Sequence, residues 1–211
     1  MPSSQLPPNH GSGPRPPASV VVAVGTDHHP FDRLVRWVDG WAGANPSVPV
    51  LVQRGTSAPT VECPSVELLA HPELCERFAK AIAVVSHGGP STVMDARMAG
   101  RLPIVVARDP RFDEHVDDHQ MRFADHLRRH DLARVIDSEA AFFAALDEAV
   151  SEPDRFTVSV DSSTITGVLE FARVMDRLLG IETPLVPSSP AGVEVPLGNR
   201  RRSVGLEGNR R

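Results

Sequence analysis

Six short apolar runs punctuate the chain, at Val20–Val24, Val48–Gln53, Val66–Leu69, Ile82–Val85, Ile104–Ala107 and Ala133–Ile136. They are rich in β-branched residues and show no polar alternation, the pattern of strands buried on both faces. Between them apolar positions recur at helical spacing. Phe31, Leu34, Val35, Val38 and Trp41 fall on one stripe, and Leu74, Phe78 and Ile82 on a second that runs into the next strand. The spacing predicts further helices over Ser91–Gly100, Glu114–Arg129 and Ser138–Val150, the last capped by Ser138. A sixth helix is predicted over Thr164–Leu179, with Ile165, Val168, Leu169, Ala172, Met175 and Leu179 on one face. Strands alternating with helices of this length predict a doubly wound α/β fold with a mainly parallel sheet covered on both sides.

The periodicity stops at both ends. Residues 1–18 hold six of the 20 prolines, one charge at Arg15 and no aromatic residue, so they bury too little apolar area to offset the entropy of ordering. They are expected to form a disordered leader without the basic start and apolar run of a secretory signal. Residues 181–211 alternate Pro and Gly and set five Arg against three Glu, which predicts a disordered basic tail. That tail suits either a plain solvated end or weak attraction to anionic lipid or an acidic partner. The leader carries +1 and the tail +2, so the total of −5 leaves −8 on the predicted domain, residues 19–180. A surface of that sign argues against nucleic acid. Cys63 and Cys75 lie too far apart for a Cys-x-x-Cys signature, and the longest apolar run, Ala140–Leu146, is too short to span a bilayer. A reduced, cytoplasmic setting is expected.

In doubly wound sheets ligands bind where strands end and loops lead into helices. Three such loops carry chemistry: Gly25-Thr26-Asp27-His28-His29, Ser86-His87-Gly88-Gly89-Pro90-Ser91-Thr92, and Arg108 to Gln120. In the second, Gly88 and Gly89 let the backbone approach a ligand, and Ser91 is expected to cap a helix whose first amides point to the same place, an anion site. Asp95, roughly 6 Å further along the axis at about 1.5 Å per residue, is placed to accept hydrogen bonds from sugar hydroxyls. Diphosphate at the tip and ribose beside the carboxylate describe a nucleoside diphosphate; a glycine turn, a capped helix and an exposed Asp describe the spacing equally well. The dinucleotide fingerprint Gly-x-Gly-x-x-Gly and the Gly-x-Ser-x-Gly nucleophile elbow are both missing. In the third loop, Asp113, Glu114, His115, Asp117, Asp118 and His119 suit an acidic solvated helix start, sugar binding by His119 and Gln120, or a metal held by His115 and His119 four residues apart. His28 and His29 read as cleft-lining residues. Arg108 suits either the cleft or a surface ion pair.

His87-Gly88-Gly89-Pro90-Ser91-Thr92-Val93-Met94-Asp95 resembles the donor-binding signature of GT-B glycosyltransferases: His, x, Gly, x, Asn or Ser, Ser or Thr, then an acid three positions on. Ala99-Gly100-Arg101-Leu102-Pro103 resembles their Gly-x-Pro turn, and His119-Gln120 stands where they carry Asp-Gln or His-Gln. Val24-Gly25-Thr26 followed by Pro30-Phe31-Asp32-Arg33-Leu34-Val35 resembles the opening of a narrower group, the glycosyltransferase family 28 C-terminal domain in single-domain form. That form occurs as the catalytic subunit of the two-subunit dolichol-linked GlcNAc transferase and in bacterial exopolysaccharide enzymes. The resemblance covers about Val20 to Val150.

The resemblance implies a fold equivalent to the C-terminal half of a GT-B enzyme, and a UDP-sugar donor. His87 would stabilise the leaving diphosphate, with Gly25, Thr26, Gly88, Gly89, Ser91 and Thr92 around it, Asp95 on the ribose, and His119 and Gln120 on the transferred sugar. It implies inverting, metal-independent hexosyl transfer with no further cofactor. The general base stays unassigned. The acceptor half is expected on a membrane-associated partner subunit holding a lipid-linked acceptor, which would bring the chain to the inner membrane face for cell-surface or exopolysaccharide glycan synthesis. Asp95 stands where relatives usually carry Glu, and Pro90 replaces a flexible residue. A non-catalytic nucleotide-sugar-binding or scaffold module of the same fold is the alternative.

Overall fold

The computed structural model describes residues 19–160, so the leader, the tail and the helix expected over Thr164–Leu179 lie outside the described residues. Six parallel strands, β1 (Val20–Ala23), β2 (Val50–Gln53), β3 (Ser65–Val66), β4 (Ala83–Ser86), β5 (Ile104–Val105) and β6 (Arg134–Val135), form one sheet in the order β3-β2-β1-β4-β5-β6. The helices are α1 (Asp32–Ala44), α2 (His71–Lys80), α3 (Pro90–Met98), α4 (His119–Arg129) and α5 (Glu139–Ser151). This is the predicted doubly wound α/β fold. Among the described residues no helix is long and apolar enough to cross a membrane.

The central strand shows why its sequence is apolar without alternation. Val20, Val22 and Val24 pack on one side with Trp41 of α1 and Phe142 and Leu146 of α5, whereas Val21 and Ala23 pack on the other with Leu74 and Phe78 of α2 and Ala96 of α3. Successive side chains of a strand point to opposite faces, so a strand with two covered faces needs apolar residues at every position. Trp41 Nε1 donates to Asp147 Oδ1 at 2.9 Å, joining α1 to α5. Ser138 caps α5 as predicted, its Oγ accepting from the Ala141 N–H.

Two expectations fail at helix starts. The fourth helix begins at His119 rather than Glu114, because the Asp117 carboxylate accepts the His119 N–H at 3.0 Å in a local turn and Glu114 is drawn into the interior. The third begins at Pro90, with Gly89 as its N-cap. Proline fits a first helical position, where its fixed φ is helical and no N–H is lost. Ser91 therefore lies inside the helix, makes no cap hydrogen bond and is exposed.

Candidate functional site

Strand order reverses between β1 and β4: β2 and β3 extend the sheet on one side of β1, and β4 to β6 on the other. The crevice over the carboxyl ends of β1 and β4 is where such sheets bind ligands. Ala23 pairs with Ser86, so the loops after both strands leave the sheet at the same level.

His87 joins them. Its N–H donates to the Ala23 carbonyl at 3.3 Å, and its ring Nδ1 lies 3.3 Å from the same oxygen. A carbonyl only accepts, so the hydrogen bond assigns the proton to Nδ1 and leaves Nε2 bare in the neutral ring. Burial, with the charge of Arg108 adding to it, pushes this imidazole down to about 4. The ring sits between Gly25 and Gly89, neither of which has room for a Cβ beside it. Gly88 donates its N–H to Ser86 Oγ at 3.1 Å. Beyond it the N–H groups of Gly89, Ser91 and Thr92 donate to no acceptor among the described residues. The loop thus places three free amides at the start of α3, where the helix dipole favours an anion.

Asp95 lies on α3 with its side chain 24% exposed, and its Oδ2 is 3.0 Å from His71 Nε2 on α2. Cys75 Sγ lies 3.4 Å from the same nitrogen. Neither His71 nor Cys75 stood out as a site residue in the sequence; their spacing of four residues on a helix was the available signal.

The third loop is less exposed than its charges predict. Arg108 is 1% exposed and makes no ion pair among the described residues. It donates to the backbone carbonyls of His29 at 2.6 Å, Val24 at 2.8 Å and Glu114 at 3.0 Å, tying the loops after β1 and β5 together, and its guanidinium carbon lies 4.9 Å from the centroid of Phe31. Glu114 is 3% exposed rather than part of a solvated helix start. It accepts from Arg33 Nε at 2.9 Å, from the same guanidinium at 2.8 Å, and from the Asp109 N–H at 2.9 Å.

His115 and His119 share no helix, yet their ring centroids are 4.4 Å apart. Asp117 lies between them, hydrogen-bonded to His119 Nδ1 and 3.6 Å from His115 Nδ1. His115 Nε2 reaches Asp27 Oδ2 at 3.4 Å, and Asp27 Oδ1 accepts from the His29 N–H at 2.8 Å and lies 2.7 Å from His29 Nδ1. A chain of alternating imidazoles and carboxylates therefore runs from His29 through Asp27, His115 and Asp117 to His119. Burial alone would raise the Asp27 carboxyl, but the His29 hydrogen bonds and the charges of His115 and Arg108 outweigh it and hold it at about 2. Burial, followed by the neighbouring His119, lowers His115.

The structure thus brings Gly25, His87, Gly88 and Gly89 together directly. His119 connects through Asp117, His115 and Asp27 to the loop that carries exposed Thr26. Gln120 is buried on α4, and its Oε1 has no hydrogen-bond partner among the described residues. A separate groove of about 380 Å³ beside α4 and β6 is lined by Arg33, Asp109, Phe112, Met121 and Arg128, and by none of the predicted donor-binding residues.

The model of the glycosyltransferase family 28 C-terminal domain matches residues 19–173. Among solved structures, the glycosyltransferase of kitacinnamycin is similar with a TM-score of 0.52 at 14% identity, over 83% of this chain and 44% of that one. The calicheamicin glycosyltransferase has a TM-score of 0.48 at 17% identity, over 83% of this chain and 46% of that one. This chain therefore spans less than half the length of either. At 14% identity the first likeness is one of fold. No curated protein matches the chain.

Proposed function

The chain belongs to the glycosyltransferase family 28 C-terminal-domain family, and from that premise we propose that it is the donor-binding half of a UDP-sugar-dependent glycosyltransferase. The observation that carries the reading is the cradle at the β1–β4 switch point, where the amides of Gly89, Ser91 and Thr92, free among the described residues, open α3 directly after His87, whose buried ring lies against Gly25 and Gly89.

In this reading the acceptor hydroxyl gives up its proton to a base outside the residues assigned here and attacks the anomeric carbon from the face opposite the diphosphate. The bond from that carbon to the β-phosphate oxygen breaks, with inversion. Negative charge grows on the departing UDP, and a fixed set of donors aimed at it lowers the barrier without reorganising during reaction. The amides at the start of α3 supply those donors together with the hydroxyls of Ser91 and Thr92, and the charge needs no metal to neutralise it. His87 adds a hydrogen bond once its Nε2 is protonated. Asp95 holds the ribose hydroxyls, Gly25 and Thr26 approach the phosphates from the opposite loop, and His119 and Gln120 contact the sugar. A membrane-associated second subunit presents a lipid-linked acceptor for cell-surface or exopolysaccharide glycan synthesis.

Calorimetry of the chain with UDP and UDP-sugars tests the donor assignment: saturable binding is expected, and none at millimolar ligand refutes it. One observation favours a non-catalytic nucleotide-sugar-binding module instead, since Asp95 is shorter than the family's usual Glu and is already paired with His71. Transfer assays on membranes, with and without the partner subunit, separate the two. Turnover only with the partner supports the enzyme.

A further inference from the structure

We propose that His71, Cys75 and Asp95 form a binding site for a thiophilic divalent cation of the zinc class, and that cation and donor nucleotide exclude one another because both need Asp95. The metal site stands on its own geometry; the exclusion rests on the ribose role proposed for Asp95.

His71 and Cys75 are four residues apart on α2 and so lie on one face of the helix. His71 Nε2 is 3.0 Å from Asp95 Oδ2 and 3.4 Å from Cys75 Sγ, and one ligand atom from each residue lies within 4.8 Å of the others. A tetrahedral zinc ion, with bonds of about 2.0–2.1 Å to nitrogen and oxygen and about 2.3 Å to sulfur, holds a nitrogen and a sulfur ligand roughly 3.5 Å apart and a nitrogen and an oxygen ligand roughly 3.4 Å apart. Shifts of a few tenths of an ångström bring His71 Nε2 to that spacing from both partners, and drawing Cys75 Sγ and Asp95 Oδ2, which lie within 4.8 Å of each other, toward the ion closes the triangle. The donor set of imidazole, thiol and carboxylate selects a zinc-like ion over magnesium or calcium, which prefer oxygen alone. On binding, the ion replaces the thiol proton, which leaves to solvent. Access needs no opening of the core, since the side chain of His71 is 69% exposed. An ion held here neutralises the Asp95 carboxylate and occupies the oxygen that would accept from ribose.

Cobalt(II) titration of the full chain in the presence of a phosphine reductant tests the site. One cobalt per chain should give a thiolate-to-metal charge-transfer band that zinc abolishes. Cys75→Ser should remove the band, Cys63→Ser should keep it, and His71→Ala, a change at an exposed position, should weaken cobalt binding at least tenfold. The absence of a band, or a band that survives Cys75→Ser, overturns the site. A UDP-sugar should then bleach the band, while an ADP-sugar, whose diphosphate is likewise esterified at both ends and chelates free cobalt comparably, should not. A UDP-sugar that binds the metal-free chain but leaves the band unchanged overturns the exclusion. A UDP-sugar that does not bind the metal-free chain overturns the donor reading, while the Cys75-dependent band still supports the metal site.

Discussion

The ring of His87 lies so close to the backbone of Gly25 that a Cβ at Gly25 would stand 2.7 Å from both Cε1 and Nε2. Gly25 also has φ of +85°, a conformation that other residues adopt with strain. Gly25→Ala should therefore destabilise the domain by about 1–3 kcal/mol through the backbone alone, with a further loss from displacing His87. It should also abolish stabilisation by UDP. In a His87→Ala background the steric part should vanish and the backbone part remain. Thermal denaturation of wild type, both single variants and the double variant measures the difference. If Gly25→Ala keeps the full UDP-induced shift, His87 and the nucleotide do not share this corner.

Acid stability should respond to His87. Its folded value of about 4 lies below the ordinary 6.5, so the unfolded chain takes up a proton that the native chain refuses. The contribution is complete above pH 6.5 and is lost as pH falls through that window, at up to about 1.4 kcal/mol per pH unit. Asp27, held at about 2 against 3.8, adds a second loss as pH falls from 3.8 toward 2. Urea denaturation between pH 8 and 4 should show a shallower decline in His87→Asn than in wild type. Parallel slopes would refute a buried neutral His87.

Donor binding should take up a proton. With Nδ1 committed to the Ala23 carbonyl, a neutral His87 presents only a lone pair at Nε2, which cannot donate to phosphate. A bound diphosphate favours the charged ring, so affinity should rise as pH falls from 8 to 6. A UDP-sugar is the ligand to use, because free UDP has a terminal phosphate that titrates near 6 and would give the opposite trend. Calorimetry in buffers of different ionisation enthalpy counts the protons. Uptake in wild type and none in His87→Gln is the expected pair of results.

Glu114 should matter more to stability than its place in an acidic stretch suggests. Glu114→Ala removes three hydrogen bonds and the counter-charge of Arg33, whose side chain is 15% exposed and keeps its hydrogen bond to the Ala107 carbonyl. Breaking a buried ion pair from one side costs about 3–5 kcal/mol, and at about 2–4 °C per kcal/mol the melting temperature should fall by at least about 6 °C. Arg36→Ala, an exposed control on the same helix, should change it by under about 2 °C. Comparable shifts in the two variants would show that the pair contributes little.

The sheet was legible because buried parallel strands have an unmistakable composition, and α1 and α5 because their stripes or cap are local. What was hidden depended on partners distant in sequence. The sequence leaves Arg108 open between the cleft and a surface ion pair since its partners are backbone carbonyls of Val24, His29 and Glu114, and a carbonyl has no identity in a sequence. Glu114 was lost among five neighbours of similar chemistry, although only it meets Arg33. Ser91 looked like a cap because serine favours that position, but Pro90 occupies the first helical residue and moves the cap to Gly89. The motif residues His87, Gly88 and Gly89 did converge with Gly25, as the loops after adjacent parallel strands must.

In the proposed reading Asp95 separates a nucleotide site from a general anion site. Two ribose hydrogen bonds to a charged acceptor are worth about 1.5–3 kcal/mol each. Asp95 is not free in the unliganded protein, however, because His71 Nε2 lies 3.0 Å from its carboxylate, and ribose must displace that contact. The displaced pair is weak, since the side chain of His71 is 69% exposed. Asp95→Ala should therefore lose at least tenfold in UDP affinity, and His71→Ala should keep or modestly improve it. A nucleotide that binds only the native state raises stability with the logarithm of its concentration over Kd, so melting curves with and without UDP rank all three proteins in one experiment. Inorganic pyrophosphate provides the second axis: it engages the amides of Gly89, Ser91 and Thr92 but has no ribose, so its smaller shift should be no weaker in Asp95→Ala than in wild type. Equal UDP shifts in wild type and Asp95→Ala would refute the ribose role and leave the start of α3 as an anion cradle without selectivity for nucleotides.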